Sequence, residues 1–280
     1  MPIPEPVPQL DDPIMLAAFG GWNDAADSAT GAIEHLEAVW SATPLAALDP
    51  EDYYDFQVNR PSVELGSGDM RSIRWPTTHL SIARDEVAKR DVVLVRGIEP
   101  SMRWRSFCEE IVGWARTLGV TRVLILGAML ADTPHTRPVP VRTVAADAAT
   151  AARLDVEVSR YEGPTGILSV LLTACTSAGI DAASVWAAVP HYVAAPPCPK
   201  ATLALLHQIE DFSRLTVPLA DLGEEARAWQ HGVDELAAED PDVGEYVRRL
   251  EEQQEATELP EASGEAIARE FERYLRRRDS

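Results

Sequence analysis

The apolar and polar positions of this chain fall into a strand–helix alternation. Residues 14–19 are a continuous apolar run, the pattern of a strand buried on both faces of a sheet. Gly20 and Gly21 break the run where the chain must reverse, because glycine reaches backbone angles that other residues avoid. Asn23 and Asp24 stand where a helix cap belongs, ahead of Ala25, Ala29, Ile33, Leu36 and Trp40, an apolar stripe at helical spacing. The alternation then repeats. Residues 91–96 contain Val92, Val93, Leu94 and Val95, and a helix follows whose inner face reads Trp104, Phe107, Cys108, Ile111, Trp114 and Leu118. Ser101 is its expected cap and Gly119 its stop. Residues 120–128 hold Val123, Leu124, Ile125 and Leu126 with no polar alternation, which marks a central strand. Strand, helix, strand in close order predicts right-handed crossovers and a mainly parallel sheet.

Between and after these units the pattern is weaker. Residues 44–48 read as a short strand and 49–52 as a turn, with brief edge strands at 53–56 and 71–75. Pro61, Gly66, Gly68 and Pro76 break residues 57–80. Residues 139–144 and the half-exposed stretch 155–161 are further strands. Residues 163–166 open an apolar helix over 167–178, with Pro164 placed in its first turn. Residues 185–189 are another strand, and a helix over 200–215 follows a proline-rich turn. From residue 219 the character changes. Leu222, Ala226, Trp229, Val233 and Leu236 repeat like a coiled-coil seam. Pro241 starts a second helix with Val243, Tyr246, Val247 and Leu250 inward; Ser263 starts a third with Ile267, Phe271, Tyr274 and Leu275 inward. The expectation is an extended lead-in over 1–13, an α/β core over 14–218 and an acidic helical segment over 219–280, packed on the core or on a neighbouring subunit.

Charge sharpens this picture. The net charge is −20, and it is concentrated at the ends: residues 1–60 hold 11 acids against Arg60, and residues 221–280 hold 18 acids against 8 arginines. Acidic ends around a neutral middle repel nucleic acid and anionic lipid, so neither is an expected partner. No run approaches the length needed to span a bilayer, and the proline-rich start has neither a basic region nor an apolar core of the kind a signal peptide needs. Cys108, Cys175 and Cys198 are far apart and form no paired motif, which fits a reducing, cytoplasmic setting and argues against a zinc site.

In a parallel α/β sheet, ligands collect at the carboxyl ends of the strands. Those ends carry Asn23 and Asp24, then Arg96 and Glu99, then Asp132, His135 and Arg137, then His191. Together they offer acid, base and cation on one rim. Strand-end loops are also polar for the plain reason that Asp and Asn cap helices. Within residues 131–138, His135 has the chemistry of a proton carrier, with Asp132 to orient it and Arg137 to hold an anion. The alternative is a rigid loop with an internal ion pair. His191 is equally compatible with a hydrogen-bonded structural role. No nucleophile elbow marks a serine or cysteine, and neither glycine turn is a dinucleotide or phosphate loop. The histidines show no metal spacing, so no metal and no cofactor are expected.

The stretch Gly20-Gly21-Trp22-Asn23-Asp24-Ala25-Ala26-Asp27 resembles the N-terminal signature of the PAC2 family, the proteasome-assembly-chaperone-2-like proteins. The loop at 132–138, the segment 161–168, and residues 185–193 with 197–200 resemble it too, and in family order. The set looks closest to the bacterial branch. The resemblance implies a three-layer α/β/α fold like that of purine nucleoside phosphorylase. It also implies self-association, with a trimer expected, and proteasome assembly in archaeal and eukaryotic members. It implies no catalytic residues. Members that dock on the proteasome end in a hydrophobic–tyrosine–any-residue tail, whereas residues 278–280 here are Arg, Asp and Ser. The leading expectation is therefore a non-catalytic, oligomeric, chaperone-like protein whose partners are itself and another protein. The competing expectation is an enzyme that binds nucleosides or small ligands in the strand-end crevice.

Overall fold

A computed structural model describes residues 7–66 and 71–258. Its centre is an eight-stranded sheet, built from β1 (Ile14–Gly20), β2 (Thr43–Ala47), β5 (His79–Asp85), β6 (Arg90–Ile98), β7 (Arg122–Ala131), β8 (Val141–Ala145), β9 (Glu157–Val158) and β10 (Asp181–Pro190). The strand order is β2-β5-β6-β1-β7-β10-β8-β9. The four middle strands, β6, β1, β7 and β10, run parallel. Beyond them β5 and β8 turn antiparallel, so the sheet is mixed with a parallel heart. Two further strands, β3 (Ser62–Leu65) and β4 (Arg71–Arg74), pair with each other and, among the described residues, with no other strand.

The parallel heart lies where the sequence places continuous apolar runs. Side chains alternate across the sheet. Ile14, Leu16 and Ala18 join one core with Val92, Leu94, Leu124 and Leu126; Met15, Ala17 and Phe19 join another with Val93, Val95, Val123 and Ile125. Residues 14–19 are wholly buried. At about 1.5–3 kcal/mol for each large apolar side chain taken from water, this strand contributes strongly to the fold. Helices α1 (Ser28–Val39) and α6 (Pro199–Ser213) cover the first face, and α3 (Trp104–Thr117) and α5 (Ile167–Ser177) the second. The fold is a three-layer α/β/α sandwich.

Several local readings differ. Residues 50–53 form a helical turn, α2 (Pro50–Tyr53), capped by Asp49, so the expected edge strand at 53–56 is absent. Ser101 does not cap α3; its Oγ accepts from the backbone N–H of Asp55 and from Asn59 Nδ2, and the cap position is Arg103 in left-handed backbone. Pro164 precedes α5, whose cap is Gly166. Of the strand expected over 155–161 only β9 remains, after an unforeseen helix α4 (Ala148–Leu154). Strand β5 was also unforeseen. Helix α7 (Leu222–Glu239) packs on α6, and α8 (Pro241–Glu258) folds back on α7. The expected third helix, with Tyr274 and Leu275, lies outside the described residues.

Candidate functional site

The carboxyl ends of β1, β6, β7 and β10 gather most of the expected rim residues, but in two separate groups. The first group surrounds Asn23. Its backbone carbonyl accepts from the Ala128 N–H at 2.8 Å, and its side-chain amide donates to Glu99 Oε1 at 2.8 Å. The same Glu99 oxygen accepts from the Ile167 N–H at 2.8 Å, at the start of α5. One carboxylate thus ties the ends of β1 and β6 to a helix N-terminus, where negative charge is favoured. Gly166 makes this possible: a Cβ there would lie 2.3 Å from Asn23 Nδ2.

Asp24 is buried beside it and accepts from the backbone N–H of Ala29 at 2.6 Å, and from the N–H and hydroxyl of Thr30. Burial raises its carboxyl pKa, and these donors oppose the rise. Its expected capping role is met across a short 3-10 turn over Ala25–Asp27. Arg96 leaves the crevice altogether. It shares the face of Val92 and Leu94, toward α1, where it pairs with Glu37 Oε2 at 2.8 Å beside His79.

The second group centres on His135, buried beneath the two C-terminal helices. Its backbone N–H donates to the Tyr192 hydroxyl at 2.7 Å. Its Nδ1 lies 2.7 Å from that hydroxyl, and its Nε2 lies 3.0 Å from Asp234 Oδ1 on α7. A tyrosine oxygen that accepts the backbone N–H still has a proton to give Nδ1. The neutral Nε2–H form therefore satisfies every partner. Burial, the dominant influence, holds the imidazole pKa below its usual value; Asp234 works against this and Lys200 with it. Lys200 Nζ donates to the His135 carbonyl and, at 2.7 Å, to Gln230 Oε1 on α7, and burial lowers its pKa. Thr136 donates to Glu251 on α8. Burial pushes the Tyr192 hydroxyl up to about 12.

His191 and Asp132 meet at the outer edge of this group, 3.3 Å apart and exposed, and the Tyr246 hydroxyl of α8 donates to Asp132 at 3.2 Å. The rings of His135, Tyr192, His191 and Tyr246 stack edge to face in a chain, with centroids 5.3–5.8 Å apart. Arg137 is half-buried in the same loop, and its backbone N–H donates to the Pro134 carbonyl. Asp132 does not orient His135; Tyr192 and Asp234 do.

The C-terminal helical pair therefore closes the β7–β10 half of the strand-end crevice. The β1–β6 half keeps a groove of about 500 Å³, lined by Gly20, Gly21, Asp55, Glu99, Ser101 and Met102 among others. Among the described residues, no group of three or more His, Cys, Asp or Glu side chains is placed to hold a metal ion. The partners of His135 escaped sequence reading because they lie on other elements, Asp234 some 99 residues away. One signal was present: Lys200 sits at the start of a helix, where a cation is disfavoured, so it needs acceptors from elsewhere.

These features define a class: an α/β/α protein whose strand-end rim is cross-linked by its own side chains and half-roofed by a C-terminal helical pair. The chain belongs to the PAC2 family, whose model matches residues 18–237, through most of α7. It is similar to a PAC2 family protein from Streptomyces avermitilis, at 60% identity over 84% of this chain and 100% of that one, with a TM-score of 0.80. It is similar also to a proteasome-assembly chaperone homologue from Mycobacterium tuberculosis, at 52% identity over 84% of this chain and 99% of that one, with a TM-score of 0.77. An archaeal proteasome activator from Pyrococcus furiosus shares the fold, at 17% identity over 82% of this chain and 95% of that one, with a TM-score of 0.59. A search of curated proteins returns no match. Among the described residues no helix is long and apolar enough to cross a membrane.

Proposed function

We propose that this chain works by binding protein, itself included, as a non-catalytic assembly factor. One observation carries the reading: the rim residues suited to chemistry are engaged with one another. Glu99 holds Asn23 and α5, Asp24 holds the start of α1, and the His135 side chain is only 1% exposed with both nitrogens occupied. A general base must reach a substrate proton, and His135 has a roof of helix over it. The likeness to a proteasome-assembly chaperone homologue supports a protein partner related to assembly. The family resemblance supports a homo-oligomer, with a trimer as the expected size. Three buried thiols, all unpaired, support a cytoplasmic setting.

The enzyme reading draws on one observation, the 3.0 Å contact of His135 with Asp234, which is the geometry of an oriented base. The open groove, however, lies on the Glu99 side. Two measurements decide. Sedimentation at micromolar concentration should show an oligomer, and isolation from native lysate should bring down a stoichiometric protein. Nucleoside hydrolysis and phosphorolysis should be absent. Turnover that disappears in His135→Ala would overturn the binding reading.

A further inference from the structure

The β3–β4 hairpin is amphipathic, yet the apolar side chains of one face stand largely exposed among the described residues. Val63 pairs with Ile73 and Leu65 with Arg71, so Val63, Leu65 and Ile73 share one face with Arg71 at its end; Ser62, Glu64, Ser72 and Arg74 share the other. The polar face is internally settled by the Arg74–Glu64 ion pair at 2.9 Å. The apolar face is open, with Val63 62%, Leu65 74% and Ile73 55% exposed. Trp75, at the base, packs its ring on Phe56 at 4.8 Å. A two-stranded hairpin standing alone is marginal in water and needs a third surface to hold it.

The chain carries a second open apolar surface, at the rim. Trp22 adjoins Asn23, whose carbonyl accepts from the Ala128 N–H; Met129 and Leu130 follow Ala128 on opposite faces of β7, and Tyr161 abuts Gly163 in the loop that brings Gly166 against Asn23, so all four stand at this rim. Trp22 and Tyr161 are 72% and 65% exposed. The two surfaces differ in charge. Residues 57–76 hold Arg60, Arg71 and Arg74 against Glu64 and Asp69, a small positive excess in a chain of net −20. The rim surface is bordered by exposed Asp27, Asp132 and Glu162 against Arg160.

We propose that the β3–β4 hairpin is an arm that seats its apolar face on the strand-end rim of a second copy of this chain. The two surfaces match: each offers exposed apolar side chains, and the charge at their edges is opposite in sign. Contact between two different surfaces is heterologous, so each copy gives one arm and receives one, and a ring follows if the rotation closes. The proposal rests on the self-association reading above and adds where the contact lies.

The test uses the full chain. Cys108, Cys175 and Cys198 are all buried, so thiols introduced at exposed positions are the ones that react. Leu65→Cys and Leu130→Cys chains, mixed and treated with a short bis-maleimide, should cross-link to each other, while neither variant alone should. The double variant Val63→Ser/Ile73→Ser, with unchanged circular dichroism, should raise the self-dissociation constant about tenfold or more. Cross-linking of Leu65→Cys alone would place arm against arm and overturn the proposal. An oligomer that the double variant leaves intact overturns the arm and spares self-association; if that variant instead loses a co-purifying protein, the arm grips a different partner. A wild-type monomer at micromolar concentration defeats both readings.

Discussion

Replacing Glu99 separates a rim built as scaffold from a rim built for chemistry, because the two readings differ in sign. In Glu99→Ala the Asn23 amide and the Ile167 N–H lose their shared acceptor, each now at 2.8 Å. Asn23 is 3% exposed and Ile167 is wholly buried, so water reaches neither freely. An orphaned buried donor costs about 1–3 kcal/mol, and part of that is recovered as the groove beside Glu99 admits water. The helix N-terminus also loses a stabilising charge, about 0.3–1 kcal/mol. The sum is a loss of about 2–4 kcal/mol, roughly 5–10 °C in melting temperature. Glu99→Gln keeps an acceptor oxygen and forfeits mainly the charge, about 1 kcal/mol. The assay is urea unfolding followed by circular dichroism, at one fixed protein concentration because association contributes to apparent stability. A carboxylate kept for function usually leaves a protein as stable or more stable when removed. An alanine variant within about 0.5 kcal/mol of wild type, or above it, refutes the scaffold argument. So does a glutamine variant as damaged as alanine.

The remaining predictions concern proton linkage, thiols and glycines. His135 has a depressed folded pKa, so its contribution is intact above the unfolded value of about 6.5 and is lost as pH falls from there toward the folded value. Wild type should therefore lose more stability than His135→Ala between about pH 7.5 and pH 5, by urea melts at each pH; parallel slopes would refute it. Burial pushes Cys108 and Cys175 up to about 12, so the native protein should show no thiol reactive toward a disulfide reagent at neutral pH, and all three on unfolding. Gly97→Ala would place a Cβ 2.1 Å from Thr78 Oγ1 and 2.8 Å from its Cα, and should cost about 2–3 kcal/mol. Gly113→Ala, within α3 and open on all sides, should instead gain about 0.5–1 kcal/mol in the same melts.

The four central strands were legible because burial on both faces leaves one signature, an unbroken apolar run. Strand β5 was not, because Ser81 and Asp85 interrupt its pattern. Their partners are distant: Ser81 donates to Glu37, and Asp85 accepts from the Thr216 N–H. Polar groups that tertiary structure satisfies look like loop residues to any local reading. Helix α4 is short and alanine-rich, and only the Asp147 cap announces it. At the rim, the strand-end rule gathered Asn23, Asp24 and Glu99, which the structure places side by side. It misplaced Arg96, although the parity was there to read: counting by twos from Val92 and Leu94 puts Arg96 on the α1 face. The environment of His135 was beyond reach, since it depends on how two helices fold back over the core.

That folding back also moves the expected self-association surface. The repeat of Leu222, Ala226, Trp229 and Val233 is expected to pack on the core or on a neighbouring subunit, and it packs on the core: Leu222 and Trp229 join the core that α6 shares with the sheet, and Ala226 and Val233 are buried. Of the seam only Leu236 is left in water, 52% exposed. The acidic helices likewise spend part of their charge inward, Asp234 on His135 and Glu251 on Thr136. A helical pair so engaged is a poor gripping surface. Large open apolar area lies instead on the β3–β4 hairpin and around Trp22 and Tyr161, both outside the seam. A protein that associates must bury such area to gain affinity. Deleting charge from the outer face of α7 should therefore leave assembly unchanged, while two serines on the hairpin should weaken it.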